Sequence, residues 1–187
     1  GKALRDNDSL VKRDAASALL HVTSDVDKVR ELLPDLLPLC RDPNSETRRA
    51  VLWVLVQIVA SADNTAIDPL RSMLDDVDIE NRQNAALALS NIGGGEAAAA
   101  IPVLLEAARN GEDDLRRQAV LGLRNFGPAA ANTLPELIRF LKGDRDVKVR
   151  EHAALAIGGI GPPAEQAGRR HAQAVEEFAH HARHLAK

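Results

Sequence analysis

Tyrosine is absent from this 187-residue chain, tryptophan and cysteine occur once each, and phenylalanine occurs three times. With so few rings the interior has to be filled by Ala, Leu, Ile and Val, which suits closely apposed helices better than a pleated sheet. The same scarcity removes the stacking platforms on which single-stranded nucleic acid is held. Cys40, inside LLPDLLPLC, has no second thiol with which to bridge or to share a metal. It reads as a buried small hydrophobe in a reducing compartment. No apolar run approaches the ~20 residues that cross a bilayer, and the first residues lack the core of a signal peptide. A cytoplasmic location without membrane attachment is therefore expected. Strong charge of either sign is missing too. The 24 Lys and Arg against 27 Asp and Glu leave −3, no field with which to gather a polyanion.

What the chain has in place of these is a repeat. A basic residue is followed by a small or branched apolar residue three on, a small one six on, an aliphatic seven on and an apolar one ten on. The anchors are Lys12, Arg48, Arg82, Arg116 and Arg150, spaced 36, 34, 34 and 34 residues apart. At about 100° per residue, offsets 3, 6, 7 and 10 share one side of a helix, so each segment 12–22, 48–58, 82–92, 116–126 and 150–160 predicts a helix with one buried stripe. Gly93, Gly127 and Gly161 follow the last stripe residue and, with Pro128 and Pro162 behind two of them, predict C-terminal stops. A less regular first helix is expected before each of the last four, over 27–40, 65–75, 97–109 and 131–142. Pro34, Pro69, Pro102 and Pro135 would kink or start these at equivalent places. Short polar turns (RDPNSE, DDVD, NGEDD, KGDRD) then force antiparallel hairpins. Such a period predicts a stacked helical solenoid, in which each unit exposes an apolar face unless a neighbour covers it.

Six residues before each anchor stand Asp6, Asp42, Asp76, Asn110 and Asp144. In this spacing the chain resembles HEAT repeats of the short bacterial type, also found in HEAT-like phycobilin lyases. The resemblance covers residues 1 to about 161. It implies an all-α, right-handed α-α superhelix of about five repeats. It also implies a hydrogen-bonded ladder between successive units, built from Asp42, Arg48, Asp76, Arg82, Arg116, Asp144 and Arg150 and structural in role. Only Lys12 and Asn110 depart from the Arg and Asp of the pattern. The organisation expected is a single array: a partial first repeat 1–24, full repeats 25–60, 61–94, 95–128 and 129–161, and a C-terminal capping helix over 162–187. The partial first repeat suggests a fragment of a longer array or a lost first helix.

If offsets 3, 6, 7 and 10 face inward, offsets 1, 5, 8 and 9 face outward, onto the wall that is usually concave in such solenoids. Offset 5 carries Ser17, Trp53, Leu87, Leu121 and Leu155, and offset 9 carries His21, Gln57, Asn91, Asn125 and Gly159. Asn84, Gln118 and His152 stand beside them at offset 2. Carboxamides both donate to and accept from an extended backbone. An apolar ridge next to an amide row is the outline of a peptide groove, in a placement similar to armadillo repeats, where a Trp at the position of Trp53 and an Asn at the positions of Asn91 and Asn125 hold an extended ligand. The alternative reading makes the offset-5 leucines ordinary core. Arg13, Arg49 and Arg117 at offset 1 and Arg124 at offset 8 share this wall, interrupted by Gln83 and Glu151.

Catalytic patterns are weak. Glu151-His152 is one reversed copy of the His-Glu pairs that some HEAT-like hydroxylases repeat to bind two irons, so no di-iron site is expected. Glu176, His180 and His184 recur every four residues but lack a fixed third ligand from another element. The glycines 93–95 have no Lys or Ser/Thr of a phosphate loop behind them and read as a helix stop. The sequence thus predicts a non-catalytic scaffold without cofactor or metal, docking another protein or peptide segment on Trp53, Leu87, Leu121, Leu155, Asn84, Asn91, Gln118, Asn125, Arg49, Arg117 and Arg124. A lyase-type enzyme acting on a tetrapyrrole-protein substrate is the alternative, and phosphate or nucleic-acid binding on the Arg row a third reading.

Overall fold

The computed structural model of the chain describes residues 1–21, 26–60 and 64–161. The expected cap over 162–187, with Glu176, His180 and His184, lies outside the described residues, as do Val22 and Pro162. Among the described residues every regular element is helical. The chain divides into two compact units, Gly1–Ile92 and Gly93–Lys187.

In unit 1 the long helices are α1 (Ser9–Leu20), α4 (Ser45–Ile58) and α6 (Ile79–Ile92). Between the first two, the single helix expected over 27–40 is instead α2 (Val26–Arg30), α3 (Leu33–Leu36) and a 3-10 turn Leu37–Arg41. Pro34 and Pro38 both lack the N–H that a continuous helix would need, so the segment restarts at each. Before α6 runs the short α5 (Ile67–Ser72). Helix α4 packs against α1, against the 3-10 turn of its own repeat and against α6, while α5 packs on α6.

Unit 2 repeats the plan with α7 (Ile101–Asn110), α8 (Asp113–Gly122), α9 (Leu134–Gly143) and α10 (Val147–Ile160). Helix α8 tightens into a 3-10 segment Leu123–Thr133 that breaks at Gly127, where φ is 54°. α7 packs on α8, α9 on α10, and α8 on α10. Pro102 and Pro135 sit in the first turn of α7 and α9, where a missing N–H costs nothing. Gly93, Gly127 and Gly161 all take positive φ, the backbone that stops a helix.

The predicted stripe is the core. Val51, Val54, Leu55 and Ile58 are buried on α4, Ala85, Ala88, Leu89 and Ile92 on α6, and Ala153, Ala156, Ile157 and Ile160 on α10. Ala119, Gly122, Leu123 and Phe126 are buried at the same offsets of α8 and its extension. Offset 4 joins them, with Leu52, Ala86 and Val120 fully buried. A long helix flanked by a first helix on one side and by neighbouring second helices on others buries more than one stripe. In α1 the pattern is looser: Ala16 is buried while Ala18 is exposed.

Candidate interaction surface

Helices α1, α4, α6 and α10 begin in a turn built from two short polar residues, whereas Glu112 at the start of α8 makes no side-chain cap bond. Asp6, Asp42, Asp76 and Asp144 accept, through Oδ1, the backbone N–H two residues on, at 2.9 to 3.0 Å. Those second residues, Asp8, Asn44, Asp78 and Asp146, accept in turn from the first N–H groups of α1, α4, α6 and α10. Two orphan donors per helix start are thereby satisfied. The cap residue four before each anchor was legible as the recurrence Asp8, Asn44, Asp78, Glu112, Asp146, a signal that the anchor-centred reading passes over.

The first turn residue also receives the anchor of the preceding repeat. In unit 1, Lys12 Nζ lies 2.5 Å from Asp42 Oδ2, and Arg48 spans both oxygens of Asp76 at 2.6 and 3.0 Å. In unit 2, Arg116 bonds Asp144. Arg48, Arg82 and Arg150 each send Nη1 back to the carbonyl of the aspartate in their own repeat, Asp42, Asp76 and Asp144, at 2.7 to 2.8 Å. Burial pushes the Asp76 carboxyl up, but the Arg48 guanidinium, the Asp78 N–H and Asn81 outweigh it and hold the group below its ordinary range. Asp42 behaves alike: burial opposes, and Lys12, the Asn44 N–H and Ser9 prevail.

The arginines at offset 1 belong to a second, more exposed ladder. Arg13 reaches Glu46 at 2.8 Å, Arg49 reaches Asp78 at 2.5 Å and Glu80 at 3.1 Å, and Arg117 reaches Asp146 at 2.7 Å. The Arg49 guanidinium, ahead of a smaller opposing effect of burial, keeps Asp78 below the usual carboxylate range. Arg49 and Arg117, expected as partner-facing cations, thus have their charge already met by the helix caps of the next repeat. Exposed pairs of this kind are screened by solvent and add little to stability. Arg124 differs: it is exposed, and among the described residues no hydrogen bond or ion pair engages it.

The offset-5 residues do not share one environment. Trp53 is 49% exposed and Leu155 51%, Leu121 is half-buried, and Leu87 is buried at 7%. Leu87 therefore is core, against the expectation of an unbroken exposed ridge. α4 packs along α6, whereas α1, on which α4 also packs, presents only Ser17 at this phase, too short to cover an indole. The amide row is partly committed as well. Asn91 Nδ2 donates to Val56 O at 2.8 Å, taking up a carbonyl in the last turn of α4. His152 Nδ1 donates to Arg117 O at 2.8 Å, and at Asn125 it is the backbone carbonyl that accepts from Gly94 N, at 3.0 Å. Asn84 is half-buried and Gln118 exposed.

Chemistry finds little purchase among these groups. Glu151 is held by Lys148 at 2.8 Å and His152 braces backbone. Among the described residues no group of three or more His, Cys, Asp or Glu is placed to hold a metal, and no helix is long and apolar enough to cross a membrane. An apolar cleft of about 130 Å³ opens between α1, α2 and α4, lined by Leu19, Leu20, Val26, Val29, Val54, Gln57 and Ile58. That is below the roughly 300–1,000 Å³ of ordinary small-molecule sites.

Comparison with known proteins bears on the same residues. The family model described as HEAT repeats matches over 1–90, 33–124 and 101–183. No curated protein matches the sequence. Among solved structures, a designed armadillo repeat protein is similar at 22% identity with a TM-score of 0.72, covering 97% of this chain and 87% of that one. A second, a designed armadillo repeat protein in complex with the peptide (KR)4, is 22% identical with a TM-score of 0.68 over 95% and 85% of the two chains. A third comes from computationally designed armadillo repeat proteins for modular peptide recognition, at 21% identity and a TM-score of 0.65, over 84% and 79%. These likenesses concern the fold, an all-α repeat solenoid.

Proposed function

This chain belongs to the HEAT-repeat family, and from that premise we propose that it is a non-catalytic scaffold which docks an extended or helical segment of another protein on the outward face of its long helices. The observation that carries the proposal is Trp53: the one tryptophan of the chain stands half out of the surface on a rigid helix, where its burial would have stabilised the fold. Trp is over-represented among residues that dominate binding energy. On unit 1, Asn84, Asn91 and Arg49, the last one turn from Trp53 on α4, supply the polar contacts. On unit 2, Leu155 and Leu121 supply the apolar contacts and Gln118, Asn125, Arg117 and Arg124 the polar ones. The peptide complexes formed by designed armadillo repeat proteins support a protein ligand for a surface of this kind.

The test is a selection of random peptides displayed on phage against the intact chain, followed by titration of the recovered peptides while Trp53 fluorescence is recorded. Replacing Trp53 by Ser is expected to weaken binding by about 2 kcal/mol or more, roughly thirtyfold in Kd, with the urea midpoint unchanged. Unaltered affinity would sink the proposal. So would a stability loss on the order of 3 kcal/mol, the mark of a core residue.

A further inference from the structure

Among the described residues of unit 2, Arg124 is an arginine that no carboxylate answers. Of the arginines expected on this wall, Arg117 is bound by Asp146 at 2.7 Å and by Asp114 at 2.8 Å. Asp113 is engaged by Arg116 and Arg145, Glu136 by Arg109 and Arg139, and Glu151 by Lys148. Arg124 has none of these partners, and the acidic start of α8, Asp113 and Asp114, is about ten residues back along the axis, some 15 Å at the helical rise.

The base of the Arg124 side chain is seated against α10. A Cβ on Gly159 would come within 2.9 Å of the Arg124 Cβ, so the absence of a side chain on α10 is what admits the arginine stem there. Among the described residues nothing lies within 4 Å of where a Cβ on Gly158 would stand. One turn earlier on α10 is Leu155, 51% exposed, and one turn earlier than Arg124 is the half-buried Leu121. Among the described residues an unpaired cation thus stands beside two exposed glycines, with aliphatic groups next to it.

We infer that this face of unit 2 takes an acidic protein segment, setting a carboxylate against Arg124 and an aliphatic side chain beside Leu121 and Leu155, above Gly158 and Gly159. The inference rests on the scaffold reading and adds the chemistry of the partner. A guanidinium without an internal partner forms a charge-assisted, bidentate pair with an incoming carboxylate and gives up no existing bond to do so. Like charge is rejected at the same point, which gives the face its selectivity. Nucleic acid fits less well: one free arginine neutralises too few phosphates to hold a strand, and the strip carries no ring.

Four fluorescein-labelled probes added to the intact chain discriminate the possibilities by anisotropy: alternating Asp-Leu, Asn-Leu and Lys-Leu peptides of equal length, and a single-stranded oligodeoxynucleotide. The Asp-Leu peptide is expected to bind at least tenfold tighter than Asn-Leu, with Lys-Leu weakest, and added salt is expected to narrow the difference. Arg124→Glu should reverse the order of the two charged peptides, Arg124→Lys should keep it, and neither should change the helical signal, since Arg124 supports no internal bond. Equal affinity of the Asp-Leu and Asn-Leu peptides, an order indifferent to Arg124→Glu, tighter binding of the oligonucleotide, or no binding of any probe each overturns the inference. Peptides recovered by random selection that depend on Trp53 but show no acidic bias would leave the scaffold standing and remove only its charge preference.

Discussion

Asp76 holds donors from three directions: the Arg48 guanidinium on both oxygens, the Asp78 N–H at 2.9 Å and Asn81 Nδ2 at 3.4 Å. Its side chain is 4% exposed and that of Arg48 13%, so removing the carboxylate strands a nearly buried cation. Asp76→Ala is expected to cost on the order of 3 kcal/mol. Asp76→Asn, the residue type that Asn110 shows at the same phase, is expected to cost less because the turn acceptor survives; urea unfolding followed by fluorescence distinguishes the two. Because Asp42, Asp76 and Asp78 have folded pKa values below their unfolded ones, the stability they supply is present above the unfolded carboxylate range, near pH 4. It is lost as pH falls through the lower folded values. Melting temperature should therefore be flat between pH 5 and 7 and drop below about pH 4, with Asp76→Asn showing a shallower fall. Burial pushes the Cys40 thiol up to about 12, so it stays protonated and unreactive in the folded protein. Labelling by a thiol reagent should track urea unfolding; rapid labelling of the native chain contradicts its burial.

Helix stops show how much of each element was written in local sequence. Gly93 has φ +73°, and a Cβ there would meet Asn125 O at 2.5 Å, whereas Gly94, at φ +71°, has open space. Gly94→Ala should cost only the strain of left-handed backbone, about 1 kcal/mol, and Gly93→Ala clearly more, as read from thermal unfolding of the two variants. The long helices, their stripe, the prolines and the glycine stops were legible because each depends on residues within two turns of one another. The first helix around 27–40 was not, since Pro34 and Pro38 act together to cut it into pieces. Offset 4 was also missed: whether Leu52, Ala86 or Val120 is core depends on a neighbouring helix rather than on the period of its own. Thr47 and Asn81, fully buried, do their bonding across repeats to Ser9 O and to Ser45. A periodicity confined to one helix has no access to such contacts.

For the chain as a whole, the same division explains what was legible of the surface. The recurring anchors and turn aspartates emerged from spacing, their pairing was implied by the resemblance to HEAT repeats, and Lys12 with Asp42, Arg48 with Asp76 and Arg116 with Asp144 pair as that resemblance implies. The partner-facing set did not separate so cleanly. Outward phase is shared by free groups such as Trp53 and Arg124 and by groups that bind the next repeat, such as Arg49, Asn91 and Arg117, and only the neighbour's position tells them apart. With one Trp and no Tyr, near-ultraviolet emission reports unit 1, while far-ultraviolet dichroism reports every helix. Asp76→Ala is expected to lower the fluorescence midpoint, and Asp144→Ala to lower the dichroism transition with the fluorescence midpoint held. Identical shifts in both signals for both variants would mean a single cooperative body.

The rung from Arg48 to Asp76 and the rung from Arg116 to Asp144 each close a span of 28 residues, one in each unit. A genetic crossover that joins one repeat to another at matching phase regenerates the same donor, the same acceptor and the same distance between them. The rung from Lys12 to Asp42 spans 30 residues and still closes, with a lysine in place of arginine. Gene duplication and unequal exchange can therefore add or delete whole repeats in this protein without losing a rung, and the number of repeats becomes a quantity free to drift.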